Sequence, residues 1–88
     1  MTGPNLLQIR VLYFAVAEDL RGVNEEQISL PISVQTVADF VVFLESQYPT
    51  LCGLVQHMRI ARNEQFAEPS DLLKSGDTLA LIPPVAGG

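Results

Sequence analysis

Thr36-Val37-Ala38-Asp39-Phe40-Val41-Val42-Phe43-Leu44-Glu45-Ser46-Gln47-Tyr48-Pro49 is the stretch on which the fold turns. Val37, Phe40, Val41, Leu44 and Tyr48 repeat at helical spacing and predict one apolar stripe on a helix over 37–47. Thr36 suits the N-cap. Asp39 then places a carboxylate in the first turn, where unpaired backbone N–H groups carry partial positive charge. Pro49 has no N–H to continue the ladder and stops the helix. Val42 and Phe43 fall off the stripe and are expected to be buried on its flank.

Upstream of this helix the period changes from helical to alternating. In residues 6–14, Leu7, Ile9, Val11 and Tyr13 share one face and Gln8 and Arg10 the other, which predicts a strand. Leu12 and Phe14 make the second face apolar at the far end, so that end is expected to be covered on both sides. Residues 15–25 read as a loop with one helical turn over 16–20, punctuated by Gly22 and Asn24. A second alternation puts Ile28, Leu30 and Ile32 inward, with Pro31 making the strand an edge or ending it.

Downstream, residues 57–68 predict a hairpin. His57 to Arg62 form one arm, Asn63-Glu64 the turn and Gln65 to Glu68 the other arm. Pro69-Ser70-Asp71 breaks it. Leu72 and Leu73 are expected to be buried in a short turn, and Gly76-Asp77 reverses the chain into a last strand, Thr78 to Ile82. That strand is apolar at nearly every position, as suits a central strand or one whose outer face meets another protein.

Two strands, a crossing helix, short strands and a final strand make an α+β arrangement. The first and last strands are expected to be central, parallel neighbours with the helix on one face of a mixed sheet, the ubiquitin-like β-grasp pattern. Residues 1–82 form this domain, and 83–88 form an extended tail ending in Gly-Gly. The sequence contains neither an internal repeat nor a low-complexity segment.

Bulk properties narrow the function. An 88-residue chain, 48% hydrophobic and 17% charged, is one small globule with a thin core. There is little room for a deep self-contained active site. The formal charge is −5 and the five basic residues are scattered, so neither nucleic acid nor an anionic membrane is an expected partner. The expected partner is a protein with a basic surface. The single cysteine, Cys52, forms no internal disulfide, and with no signal peptide or membrane span read, the expected address is the cytoplasm.

Catalytic and ligand motifs are missing from the interior. The glycines lack phosphate-loop spacing, and one Cys with one His cannot close a metal site. Cys52 and His57 lack a third group to orient them, so Cys52 reads as a bystander after the helix and His57 as a strand-edge residue. Asp71 and Asp77 read as turn residues. No cofactor or metal is expected on this chain.

The end of the chain, Ile82-Pro83-Pro84-Val85-Ala86-Gly87-Gly88, carries the chemistry. Neither proline can donate to a ladder, so both end the strand and stiffen the exit. Four residues beyond Pro84 reach roughly 13 Å when extended, and the prolines add roughly 6 Å. Gly87 and Gly88, without Cβ atoms, pass where side chains cannot. A terminal carboxylate is a poor electrophile. It must first be activated, for example as a mixed anhydride with AMP; a sulfur donor can then displace AMP and leave a thiocarboxylate, a good nucleophile on a tether.

Val11-Leu12-Tyr13-Phe14-Ala15, Gly22, Leu72-x-x-x-Gly76-Asp77 and the Pro-Pro-x-x-Gly-Gly end together resemble the small, sulfur-carrying subunits of molybdopterin synthase, over essentially the whole chain. Ile82 stands where an aromatic is often found. The resemblance implies that Gly88 is adenylated by an E1-like enzyme using ATP, thiocarboxylated, and inserted with Pro83, Pro84, Val85, Ala86 and Gly87 into the large catalytic subunit. There the sulfur attacks cyclic pyranopterin monophosphate. The assembly it implies is a heterotetramer whose catalytic side chains belong to the large subunit. Phe14, Leu79 and Leu81, with the 15–25 loop, are the expected docking residues. Three alternatives share parts of this pattern: a thiamine-type sulfur carrier, a ubiquitin-like modifier of lysines, and a passive interaction domain.

Overall fold

The computed structural model describes residues 6–84. Strand β1 runs Leu7–Tyr13, helix α1 Val16–Arg21, β2 Glu25–Leu30, α2 Val37–Gln47, β3 Arg59–Arg62, β4 Gln65–Phe66 and β5 Thr78–Ile82. The sheet order is β2-β1-β5-β3-β4, with β1 and β5 parallel and the other neighbours antiparallel. The expected mixed sheet with its first and last strands at the centre is therefore present.

Helix α2 begins as its sequence predicts. The Thr36 hydroxyl accepts from the Asp39 backbone N–H at 3.1 Å, and the Asp39 carboxylate accepts from the Thr36 N–H at 3.2 Å, a reciprocal capping box. Its stripe lies on the sheet. Val37, Phe40 and Leu44 are buried among Ile9, Val11, Tyr13, Leu79 and Leu81 in one core. Val41 and Tyr48 pack at its margin. Two turns of 3₁₀ helix, Pro49–Leu51 and Val55–His57, close the end of that core with Leu51 and Val55.

Several expectations are corrected. Strand β2 is an edge strand that ends at Leu30, as Pro31 led one to expect, but Ile32 is exposed instead of pointing inward. Val42 is 69% exposed while Phe43 packs at the core margin, because they lie on opposite flanks of α2. Leu72 is exposed and only Leu73 is buried. The segment is extended there, with Leu72 bridged to Thr36 and the Leu73 N–H donating to Gln35 at 2.9 Å, so successive side chains point to opposite sides. The hairpin arms are shorter than predicted, and His57 sits in a 3₁₀ turn, not at a strand edge. Asn63 and Glu64 take positive φ of 53° and 74°, the two-residue turn whose twist matches a right-handed ribbon.

Candidate functional site

α2 covers one face of the sheet and leaves the other open. Strand alternation decides what that open face shows. Arg10 and Leu12 of β1, with Phe14 just beyond, point to it, as do Thr78, Ala80 and Ile82 of β5. Ladder register places Leu12 beside Ala80, Ala80 beside Ala61 and Ala61 beside Phe66, one row across four strands. Two alanines in the middle of that row leave the face dished between Leu12 and Phe66. The result is an open groove of about 660 Å³, lined also by Phe14, Ile82 and the Asn63-Glu64 turn. Phe14 is 47% and Phe66 61% exposed. Large apolar side chains gathered on one face of so small a domain make this the candidate interaction surface.

Charged groups rim this face. Arg10 forks onto Glu25 at 3.2 and 3.0 Å, a solvent-exposed pair that orients both groups more than it stabilises the fold. The Arg59 guanidinium lies over the Phe66 ring, 3.8 Å from its centre, a cation–π contact of about 0.5–1 kcal/mol at an exposed site. β3 register sets Arg59 opposite Ile82, the last residue of β5.

The turns that hold the face together gather around one buried carboxylate, Asp77. The Asp77 carboxylate accepts from Asn63 Nδ2 at 3.0 Å, from the Lys74 backbone N–H at 2.8 Å and from Arg62 at 3.5 Å. Burial works to raise its pKa, but these donors outweigh burial and hold it below the ordinary aspartate value. The Asn63 side-chain oxygen in turn accepts from the Thr78 N–H at 2.9 Å, fastening the β3–β4 turn to the start of β5. Asp71 accepts from the Glu68 N–H at 3.0 Å, as a turn aspartate should.

At the other end of β1, α1 is pinned by a second network. Arg21 forks onto Glu26 at 2.8 and 2.6 Å and lies 3.9 Å from the centre of the Tyr48 ring. The Tyr13 hydroxyl donates to the same carboxylate. Burial, then the Glu26 charge, pushes the Tyr13 pKa well up. Glu26 is held below its ordinary value because its bonds from Arg21 and Tyr13 outweigh burial. Ala15, which leads from Phe14 into α1, has φ 51° and ψ −127°, a conformation glycine adopts far more readily. Gly22 closes α1 in the left-handed conformation, its N–H donating to Glu18.

The expected docking residues divide. Phe14 is on the open face. Leu79 and Leu81 are fully buried under α2 and are corrected from docking to core, while Thr78, Ala80 and Ile82 of the same strand face outward. Phe14 and half-buried Leu12 are also not covered on both sides, as the far end of β1 was expected to be. Leu12, Ala61 and Phe66 went unread as site residues. The one signal for Phe66 was a large aromatic in the short hairpin arm read over Gln65 to Glu68. Pro83 is buried and Pro84 exposed. Val85, Ala86, Gly87 and Gly88 lie outside the described residues. Cys52 and His57 are both exposed. Among the described residues, no group of His, Cys, Asp or Glu could hold a metal ion, and no helix is long and apolar enough to cross a membrane.

The ThiS family profile matches residues 11–88 of this chain. A molybdopterin synthase sulfur carrier subunit from Chlamydomonas reinhardtii is 36% identical over 84 residues, 93% of this chain and 100% of the relative. The chain belongs to this family of ubiquitin-like sulfur carriers. Its fold matches the crystal structure of SAMP1 from Haloferax volcanii, with a TM-score of 0.79 and 27% identity over 92% of this chain and 99% of that one. The same fold occurs in the complex of subunits 1 and 2 of the molybdopterin-converting factor from Helicobacter pylori, at 22% identity and a TM-score of 0.67, covering 93% and 100% of the two chains. The dished face ends at Ile82, where β5 gives way to this chain's Pro-Pro-x-x-Gly-Gly end.

Proposed function

We propose that this chain is the sulfur carrier subunit of a molybdopterin synthase. In this reading an E1-like enzyme joins the Gly88 carboxylate to AMP from ATP, releasing pyrophosphate. A sulfide equivalent then displaces AMP and leaves a thiocarboxylate. The loaded tail enters a cleft of the large catalytic subunit, and its sulfur attacks cyclic pyranopterin monophosphate. The chain binds no cofactor itself, and ATP is consumed on the activating enzyme. Pro83 anchors the root of the tail, Pro84 stiffens its exit, and Val85, Ala86 and Gly87 form the slim probe.

The observation that carries the reading is the open apolar face bordered by Ile82. A carrier needs a surface that holds it on its partner while the tail reaches in, and Leu12, Phe14, Phe66, Ala80 and Ile82 supply one beside the root of the tail. Docking there makes attack by the terminal sulfur effectively intramolecular.

Intact-mass measurement after co-expression with an activating enzyme and sulfur donor tests the loading step. Replacement of one terminal oxygen by sulfur is expected, and its loss on deleting Gly88. Product formation by the reconstituted synthase is expected to vanish with the same deletion. Unchanged mass with a competent activating system rejects sulfur carriage. Lysine adducts of the chain in cell extracts, in place of a thiocarboxylate, would make it a modifier.

A further inference from the structure

The open face has a charged marker that its apolar floor does not explain. The five basic residues are Arg10, Arg21, Arg59, Arg62 and Lys74. Arg10, Arg21 and Arg62 are each paired with a carboxylate of the chain, Glu25, Glu26 and Asp77. Arg59 is not. Among the described residues its guanidinium forms no ion pair; it lies flat on the Phe66 ring, 3.8 Å from the centre. Stacking holds the plane in place and leaves the edge, with its fork of N–H donors, pointing past the ring. Arg59 is opposite Ile82, so this fork stands at the boundary between the docking face and the tail.

We infer that Arg59 receives a carboxylate from the partner's docking surface, and that this pair sets the register in which the carrier seats. The inference rests on the docking role proposed above for the open face. A planar fork already held by a ring matches the two oxygens of a carboxylate, and little freedom is lost when they meet. The rest of the chain argues for the same specificity. With a net charge of −5 it repels an acidic surface everywhere except where an uncommitted cation faces it. On the open face a partner carboxylate is therefore accepted at Arg59 and penalised elsewhere, since Arg10 is already held by Glu25. A nucleotide phosphate at the terminus is a poorer candidate: Gly88 is six residues beyond Ile82, up to about 20 Å away when extended.

The test titrates the full-length chain with the cognate large subunit by calorimetry at several salt concentrations. Arg59→Met keeps an apolar stem over Phe66 but removes the charge and the fork. It is expected to weaken binding about tenfold or more and to flatten the salt dependence. Arg59→Glu is expected to weaken binding further, and Arg59→Lys to fall between wild type and Arg59→Met. Because Arg59 is exposed, thermal unfolding of all three variants is expected to shift by no more than the few degrees that loss of the cation–π contact brings. Wild-type affinity and salt dependence in Arg59→Met overturn the inference, since Arg59 would then only shield the ring. Ala80→Asp, in the middle of the face, separates this from failure of the docking reading. If Ala80→Asp abolishes binding and Arg59→Met does not, the face stands and the carboxylate falls. If Ala80→Asp binds normally, the face is not the docking surface and both fall.

Discussion

The two faces of the sheet come from the same strands and carry almost opposite side chains for opposite reasons. On the helix side Ile9, Val11, Tyr13, Leu79 and Leu81 are buried against Phe40 and Leu44. On the open side Leu12, Phe14, Ala80, Ile82 and Phe66 line a dished surface that also carries Arg10, Asn63, Glu64 and Thr78. The covered face is filled by large residues at its centre, whereas the open face has alanines there. A core needs its middle filled to the density of a solid. A docking surface needs its middle empty, so that something else can enter.

Leu81→Ala and Ile82→Ala test this contrast most sharply, since the two residues are neighbours on β5. Leu81→Ala is expected to cost about 2–5 kcal/mol of stability, measured by urea unfolding, because it opens a cavity under α2. That is a large part of the roughly 5–15 kcal/mol that holds such a domain together. Ile82→Ala is expected to cost much less stability and to weaken binding to the large subunit instead. Equal losses of stability at the two positions would break the distinction between the faces.

A middle-sized effect is expected from the polar group beneath the rim. Asp77→Ala leaves Asn63 Nδ2 and the Lys74 N–H without their acceptor and is expected to cost about 1–3 kcal/mol. Asp77 and Glu26 both have pKa values below their unfolded ones. Their contribution is complete above the unfolded carboxylate range. It is lost as pH falls through that range and on through the lower folded values. Stability should therefore hold from neutrality to about pH 5 and fall below it. Asp77→Asn should make that fall shallower. A slope unaltered in Asp77→Asn would remove Asp77 from the account.

On the open face, Phe66→Ala is expected to weaken partner binding by about 1–2 kcal/mol, as exposed aromatic anchors do. It removes both the ring and the platform under Arg59, and the domain should unfold at nearly the wild-type temperature. The smallest effect is expected at Ala15. Glycine tolerates φ 51° and ψ −127° where alanine is strained, so Ala15→Gly should stabilise the fold by up to about 1 kcal/mol. A loss of stability there would mean that the cost of freeing the unfolded chain outweighs the strain relieved.

Much of the fold was legible in the sequence because its signals are local and redundant. The stripe of α2, its Thr36 and Asp39 cap and the alternation of β1 each depend on residues within a turn or two of one another. The candidate site was legible only in part. Phe14, expected to dock, does lie on the open face, but Leu79 and Leu81 could not be told from Ala80 and Ile82. In a strand that is apolar at four consecutive positions, alternation says which residues share a face but not which face is covered. Val42 and Leu72 were misread for a related reason: an apolar side chain beside a core segment looks the same whether or not a neighbour reaches it.

The sequence by itself determined the α2 helix and its ends, the strand periods, the acidic balance and the Pro-Pro-x-x-Gly-Gly end on which the resemblance was first read. Those features are set by backbone sterics, capping and side-chain chemistry over short distances. Tertiary structure alone decided that Leu79 and Leu81 belong to the core, that Leu12, Ala61, Ala80 and Phe66 share one open row, and that Arg59 stacks on Phe66 opposite Ile82. Each of these depends on ladder register between strands far apart in the chain, and on the side of the sheet that one helix covers.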